Sequence, residues 1–258
     1  MIPIKTLSFC ITCKNRFHQI SQTLKKNLND NRLHQDWIEF ILVDFGSTDG
    51  LHDWVIDKFD DDLNSGYLKY YYTDELTYWH ASIGKNTAHY CANNEIVVNL
   101  DCDNFVGYLG GQFVIRNFLN NENIVLHQFS GNYTDGSFGR ISVIKKYFDF
   151  IGGYNESLNS IGYEDTDLIN RLKTSGLKSI LSPNSKYCTA IPNTKEEGML
   201  NTNSLLTYTE INELNGRISN SNIEKGNLIA NNGTYGIRKN LFDHFACLFS
   251  KCSSITSK

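Results

Sequence analysis

The sequence lacks any apolar run near the roughly 18 residues that a membrane-spanning helix requires. Its short apolar stretch from Leu7 to Cys13 is not followed by the small residues of a signal cleavage site, so it reads as a buried strand. A dense basic stripe is also missing. Lys and Arg number 24 against 28 Asp and Glu, a formal charge of −4, which leaves little to neutralise a nucleic-acid backbone. No internal repeat is present, and no dinucleotide glycine fingerprint follows the first strand. The segment Ala81-Ser82-Ile83-Gly84-Lys85-Asn86 is not a P-loop, because its first glycine is absent and Asn86 stands where Ser or Thr is required. The seven cysteines are odd in number and scattered, and Cys10-x-x-Cys13 has no second pair at zinc-ribbon spacing. That pattern fits a reducing compartment, so a cytoplasmic location is expected.

What is present is an ordinary globular composition, 40% hydrophobic and 20% charged over 258 residues, enough for one generous core. Leu7 to Thr12 predicts a strand, and Ile20, Leu24 and Leu28 then recur at helical spacing up to the Asn-rich stretch 27–31. Phe40 to Val43, Tyr67 to Tyr72 and Ile96 to Leu100 predict further strands, with helices from Leu51 and from Ala81 to Ala92 between them. The alternation predicts an α/β fold with a mainly parallel central sheet flanked by helices. Ligands of such sheets sit outside the carboxyl ends of the strands, where Arg16, Asp44 and the 101–104 cluster would converge. Further on, Ile141 to Phe148 and a Gly152-Gly153-Tyr154 turn precede a helix opening at Glu164-Asp165, with Leu168, Ile169 and Leu172 on one face and Gly176 ending it.

Asp101 and Asp103 stand two apart at a strand end, so in extended geometry both carboxylates face one side. Two such groups suit a hard divalent cation that completes its shell with phosphate and water; taken alone, Asp-x-Asp also suits a solvated turn. The acids from Glu164 to Asp167 likewise suit a helix N-terminus as well as chemistry.

The blocks Ser8 to Arg16, Phe40 to Gly50, Gly84-Lys85-Asn86 and Asn99 to Asn104 resemble, in order and spacing, the family-two glycosyltransferases of the GT-A fold. The Ile151-Gly152-Gly153-Tyr154 segment followed by Gly162-Tyr163-Glu164-Asp165-Thr166-Asp167-Leu168 is similar to the acceptor segment of galactosyltransferase-like enzymes. The resemblance implies a nucleotide-diphosphate-sugar donor, a UDP-sugar by preference, bound by Thr12, Lys14, Arg16, Asp44, Lys85, Asn86, Asp101 and Cys102. It implies Mn²⁺ or Mg²⁺ held by Asp103 as principal ligand with Asp101 beside it, the DXD arrangement. It also implies Asp165 as the base that takes the proton of the acceptor hydroxyl, and Glu164, Gly162, Tyr163 and Arg140 as acceptor contacts. Transfer with inversion to a glycan or a surface-polysaccharide precursor follows from the same likeness.

The chain departs from that pattern in one respect, since Lys186 to Asn203 lacks the metal-binding histidine such enzymes place downstream of the Glu-Asp pair. His80, His89 and His244 would each have to approach from elsewhere. The expected division is a catalytic domain over 1–190, with a nucleotide-sugar half at 1–104 and an acceptor half at 105–190, and a C-terminal extension over 191–258 packed on it. Leu241, Phe242, Phe245, Leu248 and Phe249 are spaced as one apolar helical face, which suits packing on the domain or peripheral contact with the inner face of the membrane. A nucleotidyltransferase acting on sugar phosphates and a non-catalytic nucleotide- or glycan-binding module are the competing functions; the first would carry a glycine-rich N-terminal loop, which is absent.

Overall fold

Strand β1 (Leu7–Cys13) is buried along its whole length. Its alternating side chains send Leu7, Phe9, Ile11 and Cys13 into one apolar layer and Cys10 into the other. A strand covered on both faces belongs at the centre of a sheet, and β1 is flanked by β2 (Ile38–Asp44) and β4 (Ile96–Asp101), both parallel to it. The computed structural model describes residues 5–133 and 135–243. Among them an eight-stranded sheet runs in the order β10, β3, β2, β1, β4, β7, β6, β8. The remaining members are β3 (Leu68–Tyr72), β6 (Ile124–His127), β7 (Ile141–Ile144), β8 (Lys178–Leu181) and β10 (Phe242–Asp243). Strands β3, β2, β1 and β4 form a parallel block, while β7 lies antiparallel to both β4 and β6. The predicted α/β architecture with a mainly parallel sheet is the one observed.

Helices cover both faces. On one side α1 (Phe17–Asn31) seats Ile20, Leu24 and Leu28 in the layer that also holds Val114, Ile115 and Phe118 of α5 (Gly110–Phe118). On the other, α4 (Ala81–Cys91), α6 (Lys145–Phe150) and α7 (Glu164–Thr174) close over Val43, Val97 and Val143, with Ala88, Phe148, Leu168 and Leu172 buried there. Each fully buried Leu, Ile or Phe contributes about 1.5–3 kcal/mol, so these two layers dominate the stability. Two short helices, α2 (Leu51–Lys58) and α3 (Asp60–Asn64), complete the first half.

Two details of the second half bear on the site. Strand β5 (Asn104–Phe105) pairs antiparallel with β9 (Thr189–Ala190), which ties the chain near residue 190 to the end of β4. Beyond it, α8 (Lys195–Met199) and α9 (Tyr208–Glu224) each open with a complete capping box, at Thr194 with Glu197 and at Thr207 with Glu210. The apolar helix expected from Leu241 does not begin there. Phe242 and Asp243 instead pair with Tyr72 and Tyr71 along the exposed edge of β3, a pairing that satisfies backbone groups a helix would leave bare. The rest of that predicted face, and His244, lie outside the described residues.

Candidate functional site

Strand ends and loops from both halves of the chain surround one cleft of about 460 Å³, within the range usual for ligand sites. From the end of β1 come Thr12, Lys14 and Arg16; from the end of β4, Asp101, Cys102 and Asp103; from α4, Lys85. Gly162, Tyr163, Glu164 and Asp165 enter at the start of α7. The approach of these residues follows from register. Thr12 lies directly across from Asp101 in the β1–β4 pair, so both strands deliver their following loops to one point.

The loop after β4 is held from below by polar residues of α1. The Thr23 hydroxyl donates to the Cys102 carbonyl at 2.6 Å, the Asn27 amide donates to the Asn104 carbonyl at 2.8 Å, and the Asn27 oxygen accepts from the Val106 N–H at 2.8 Å. Sequence periodicity marked only the apolar face of this helix. Its polar inner face carries no local signal, because the partners are some eighty residues away.

Asp103 is buried, with 6% of its surface exposed. Its Oδ1 accepts from Asn104 at 2.7 Å, and its Oδ2 accepts from Arg16 at 3.4 Å and from the Asn193 amide. Burial and the neighbouring Asp101 charge push its carboxyl up to about 6. Asp165 lines the same cleft, with Oδ1 taking a 2.7 Å hydrogen bond from Lys85 Nζ. The same lysine donates to Glu164 Oε1 at 3.0 Å, and Glu164 Oε2 is buried with no hydrogen-bond partner. Burial, reinforced by Glu164 and Asp101, pushes Asp165 up to about 7 against the pull of Lys85. For Glu164 burial acts in the same direction, but Lys85 prevails and holds it below the usual carboxylate range. Lys85 itself is driven well above its normal value, because Asp165, Glu164 and Asp101 outweigh its desolvation.

Gly139 separates the two groups of acids. A Cβ there would stand 2.6 Å from Asp101 Oδ2 and 3.2 Å from Asp165 Oδ2. Gly139→Ala is therefore expected to force the two carboxylates apart, and a displacement of this order costs roughly a hundredfold in kcat/KM. The melting temperature should change little, and steady-state kinetics beside a thermal melt would check both halves of this expectation.

Three residues expected at the ligand are used elsewhere. Arg140, 1% exposed, donates to the carbonyls of Phe105 at 2.9 Å, Thr189 at 3.2 Å and Tyr187, and to Asn104 Oδ1 at 2.5 Å. It fastens the β5–β9 ribbon instead of facing an acceptor. Asn86 is fully buried, its amide donating to the Tyr154 carbonyl and to Glu156, each at 2.8 Å, while its oxygen accepts from Tyr154 N–H. It locks the Gly-Gly-Tyr turn, where Gly153 has φ +66° and a Cβ would meet the Asn86 oxygen at 2.4 Å. Asp44 also has no exposed surface; its carboxylate accepts from Tyr70 OH and from Ser47 N–H, both at 2.8 Å. None of the three lines the cleft. Asp167, unassigned from sequence, is structural: it pairs with Arg171 at 2.7 Å and accepts from Ser219, and Arg171 in turn donates to the Gly153 carbonyl.

Other lining residues gave no sequence signal. Trp79, Asn193, Lys195, Asn201 and Tyr208 also line the cleft, and Tyr208 is raised to about 12 by burial and by Glu164 and Asp165. Asn201 donates to the Lys14 carbonyl at 3.0 Å, joining the segment after α8 to the β1 loop. Neither His80 nor His89 lines the cleft. His80 bonds the Leu158 carbonyl, and His89, stacked on Phe148, is kept neutral by burial that lowers it to about 3. Cys10, Cys13, Cys91, Cys102 and Cys188 are free thiols.

Comparison with known proteins bears on the fold that carries this cleft. The family described as the N-terminal domain of galactosyltransferase matches residues 124–195. No curated protein sequence matches the chain. Among solved structures, the mannosyltransferase PcManGT from Pyrobaculum calidifontis, in complex with GDP-Man and Mn²⁺, superposes with a TM-score of 0.59 at 16% identity. It covers 74% of this chain, which spans 58% of its length. Residues 1–349 of TarS from S. aureus, in complex with UDP-GlcNAc, give a TM-score of 0.64 at 16% identity over 84% of this chain and 66% of that one. The chain has the GT-A fold, and within it residues 124–195 are similar to the N-terminal domain of galactosyltransferase.

Proposed function

We propose that the chain is a metal-dependent, inverting glycosyltransferase that moves a sugar from a nucleotide-diphosphate donor to a hydroxyl of a glycan or a surface-polysaccharide precursor. The observation that carries this reading is the meeting of Asp103 and Asp165, from opposite halves of the chain, across one cleft. The buried Asp103 carboxylate, raised to about 6 by burial and by the Asp101 charge beside it, suits together with Asp101 a hard divalent cation. Among the described residues no cluster of three or more His, Cys, Asp or Glu side chains is placed to hold a metal, so substrate phosphate and water fit the remaining positions. Asp103 and Asp101 would hold Mn²⁺ or Mg²⁺, which supplies Lewis-acid stabilisation of the diphosphate as it leaves.

The protein's own groups supply the rest. Lys14 and Arg16, on the donor side, add positive charge where the phosphates collect. Asp165 takes the acceptor's hydroxyl proton as that oxygen bonds to the anomeric carbon and the bond to the nucleotide diphosphate breaks. Lys85 orients the base, and the unpartnered Glu164 Oε2 is free to accept from an acceptor hydroxyl. In this reading residues 1–104 serve mainly the donor, 105–190 the acceptor, and the segment from 191 closes the cleft. No helix among the described residues is long and apolar enough to cross a membrane; the proposed site of action is the cytoplasm, where nucleotide sugars are available.

The two structural relatives carry different nucleotides, so the donor is best found by a panel. UDP-, GDP-, CMP- and dTDP-sugars should be assayed for nucleotide release with Mn²⁺, Mg²⁺ or chelator. One donor, a UDP-sugar first, is expected to turn over, and chelation should stop it. Pyrophosphate release from a nucleoside triphosphate and a sugar phosphate would replace this reading with nucleotidyl transfer. Binding without turnover would leave a recognition module.

A further inference from the structure

The β5–β9 ribbon carries the chain past Asp103, where the Ile191 N–H donates to the Asp103 carbonyl at 2.8 Å. Two residues later the Asn193 side chain reaches into the cleft and its amide donates to Asp103 Oδ2. Its backbone is fixed on both sides. The ribbon precedes it, and the capping box follows, with Thr194 N–H donating to Glu197 at 2.8 Å and Glu197 N–H to the Thr194 hydroxyl at 3.1 Å.

Half a turn about the last torsion of an asparagine exchanges its nitrogen for its oxygen with almost no change of shape. At position 193 the same side chain can therefore donate to the carboxylate or offer a carbonyl oxygen to whatever cation that carboxylate holds. We propose that Asn193 completes the cation site, its carbonyl oxygen serving as the third protein ligand beside Asp103 and Asp101. The inference rests on Asp103 being a metal ligand. The donor set is then entirely oxygen, which favours Mg²⁺ and Mn²⁺ over softer ions. A neutral third ligand also avoids placing a third negative charge beside two carboxylates.

The test is Mn²⁺ binding followed by electron paramagnetic resonance, with UDP or GDP present, on the full chain and three variants. Asp103→Ala should abolish binding, and Asn193→Ala should weaken it by about tenfold or more. Asn193→His should still bind, add a directly coordinated nitrogen to the Mn²⁺ spin-echo spectrum, and move preference from Mg²⁺ towards Co²⁺. A residue that merely hydrogen-bonds Asp103 would produce neither the nitrogen signal nor the shift in preference. If Asp103→Ala abolishes binding while Asn193→Ala leaves the affinity unchanged, or the histidine variant shows no nitrogen coupling, the assignment of Asn193 is overturned and the reading of Asp103 survives. If Asp103→Ala itself binds Mn²⁺ normally, both fall.

Discussion

Asp165→Asn is expected to lower kcat by about 10²–10⁴-fold, the usual contribution of a positioned general base, with Mn²⁺ affinity and melting temperature close to those of the parent. The substitution keeps the shape and retains an oxygen to accept the Lys85 hydrogen bond, so the change falls on proton acceptance alone. The parent's pH profile should report the same group. Burial, with Glu164 and Asp101, raises Asp165 to about 7, and only its ionised form can act, so kcat/KM should fall tenfold per pH unit below the midpoint. A cation beside Asp101 would draw that midpoint downward, and the asparagine variant should lose this acidic limb. Near-parental turnover by the variant would remove Asp165 from the chemistry.

Much of the fold was legible because it depends on near neighbours. The apolar runs of β1, β2 and β4 and the four-residue spacing of Ile20, Leu24 and Leu28 are local patterns, and each element lies within a residue or two of its expected place. The cleft was legible as strand ends, since Arg16, Asp101 and Asp103 follow buried runs that stop abruptly. What stayed hidden were the long-range polar contacts. An arginine with five donors serves backbone carbonyls as readily as a ligand, and Arg140 does so. Asn86 and Asp44 sit in recognisable blocks that suggest the donor, yet neither lines the cleft and each is taken up by hydrogen bonds to a neighbouring loop. Asn193 carries no local signal, since an asparagine in a polar loop resembles any other; only the β5–β9 pairing brings that residue to Asp103. The tail misled for a related reason: helical spacing predicts a helix only where no open sheet edge competes, and β3 offers one to Phe242.

Lys85→Met is expected to be the most destabilising single change at the site. Lys85 is 5% exposed, ion-paired to two carboxylates and stacked 5.3 Å from the Tyr154 ring. Methionine preserves much of the volume but leaves Glu164 and Asp165 buried without their cation, a loss of about 3–5 kcal/mol, or roughly 10 °C in a chain of this size. In the parent the two acids have opposite pH slopes. Glu164, held low, contributes stability above its unfolded pKa that disappears as pH falls through its folded value, whereas Asp165, held high, contributes below its unfolded pKa and loses that contribution as pH rises through about 7. Without Lys85 only hydrogen bonds from the Glu164 and Gly162 backbone oppose burial at Glu164, so the proton affinity of both carboxyls rises and protonation favours the fold more than in the parent. The deficit relative to the parent should thus be greatest near pH 8 and shrink towards pH 5. Thermal melts across that range would reveal it. A deficit independent of pH would mean that the lysine contributes through packing alone, and that the charge network does not set the proton affinity of the base.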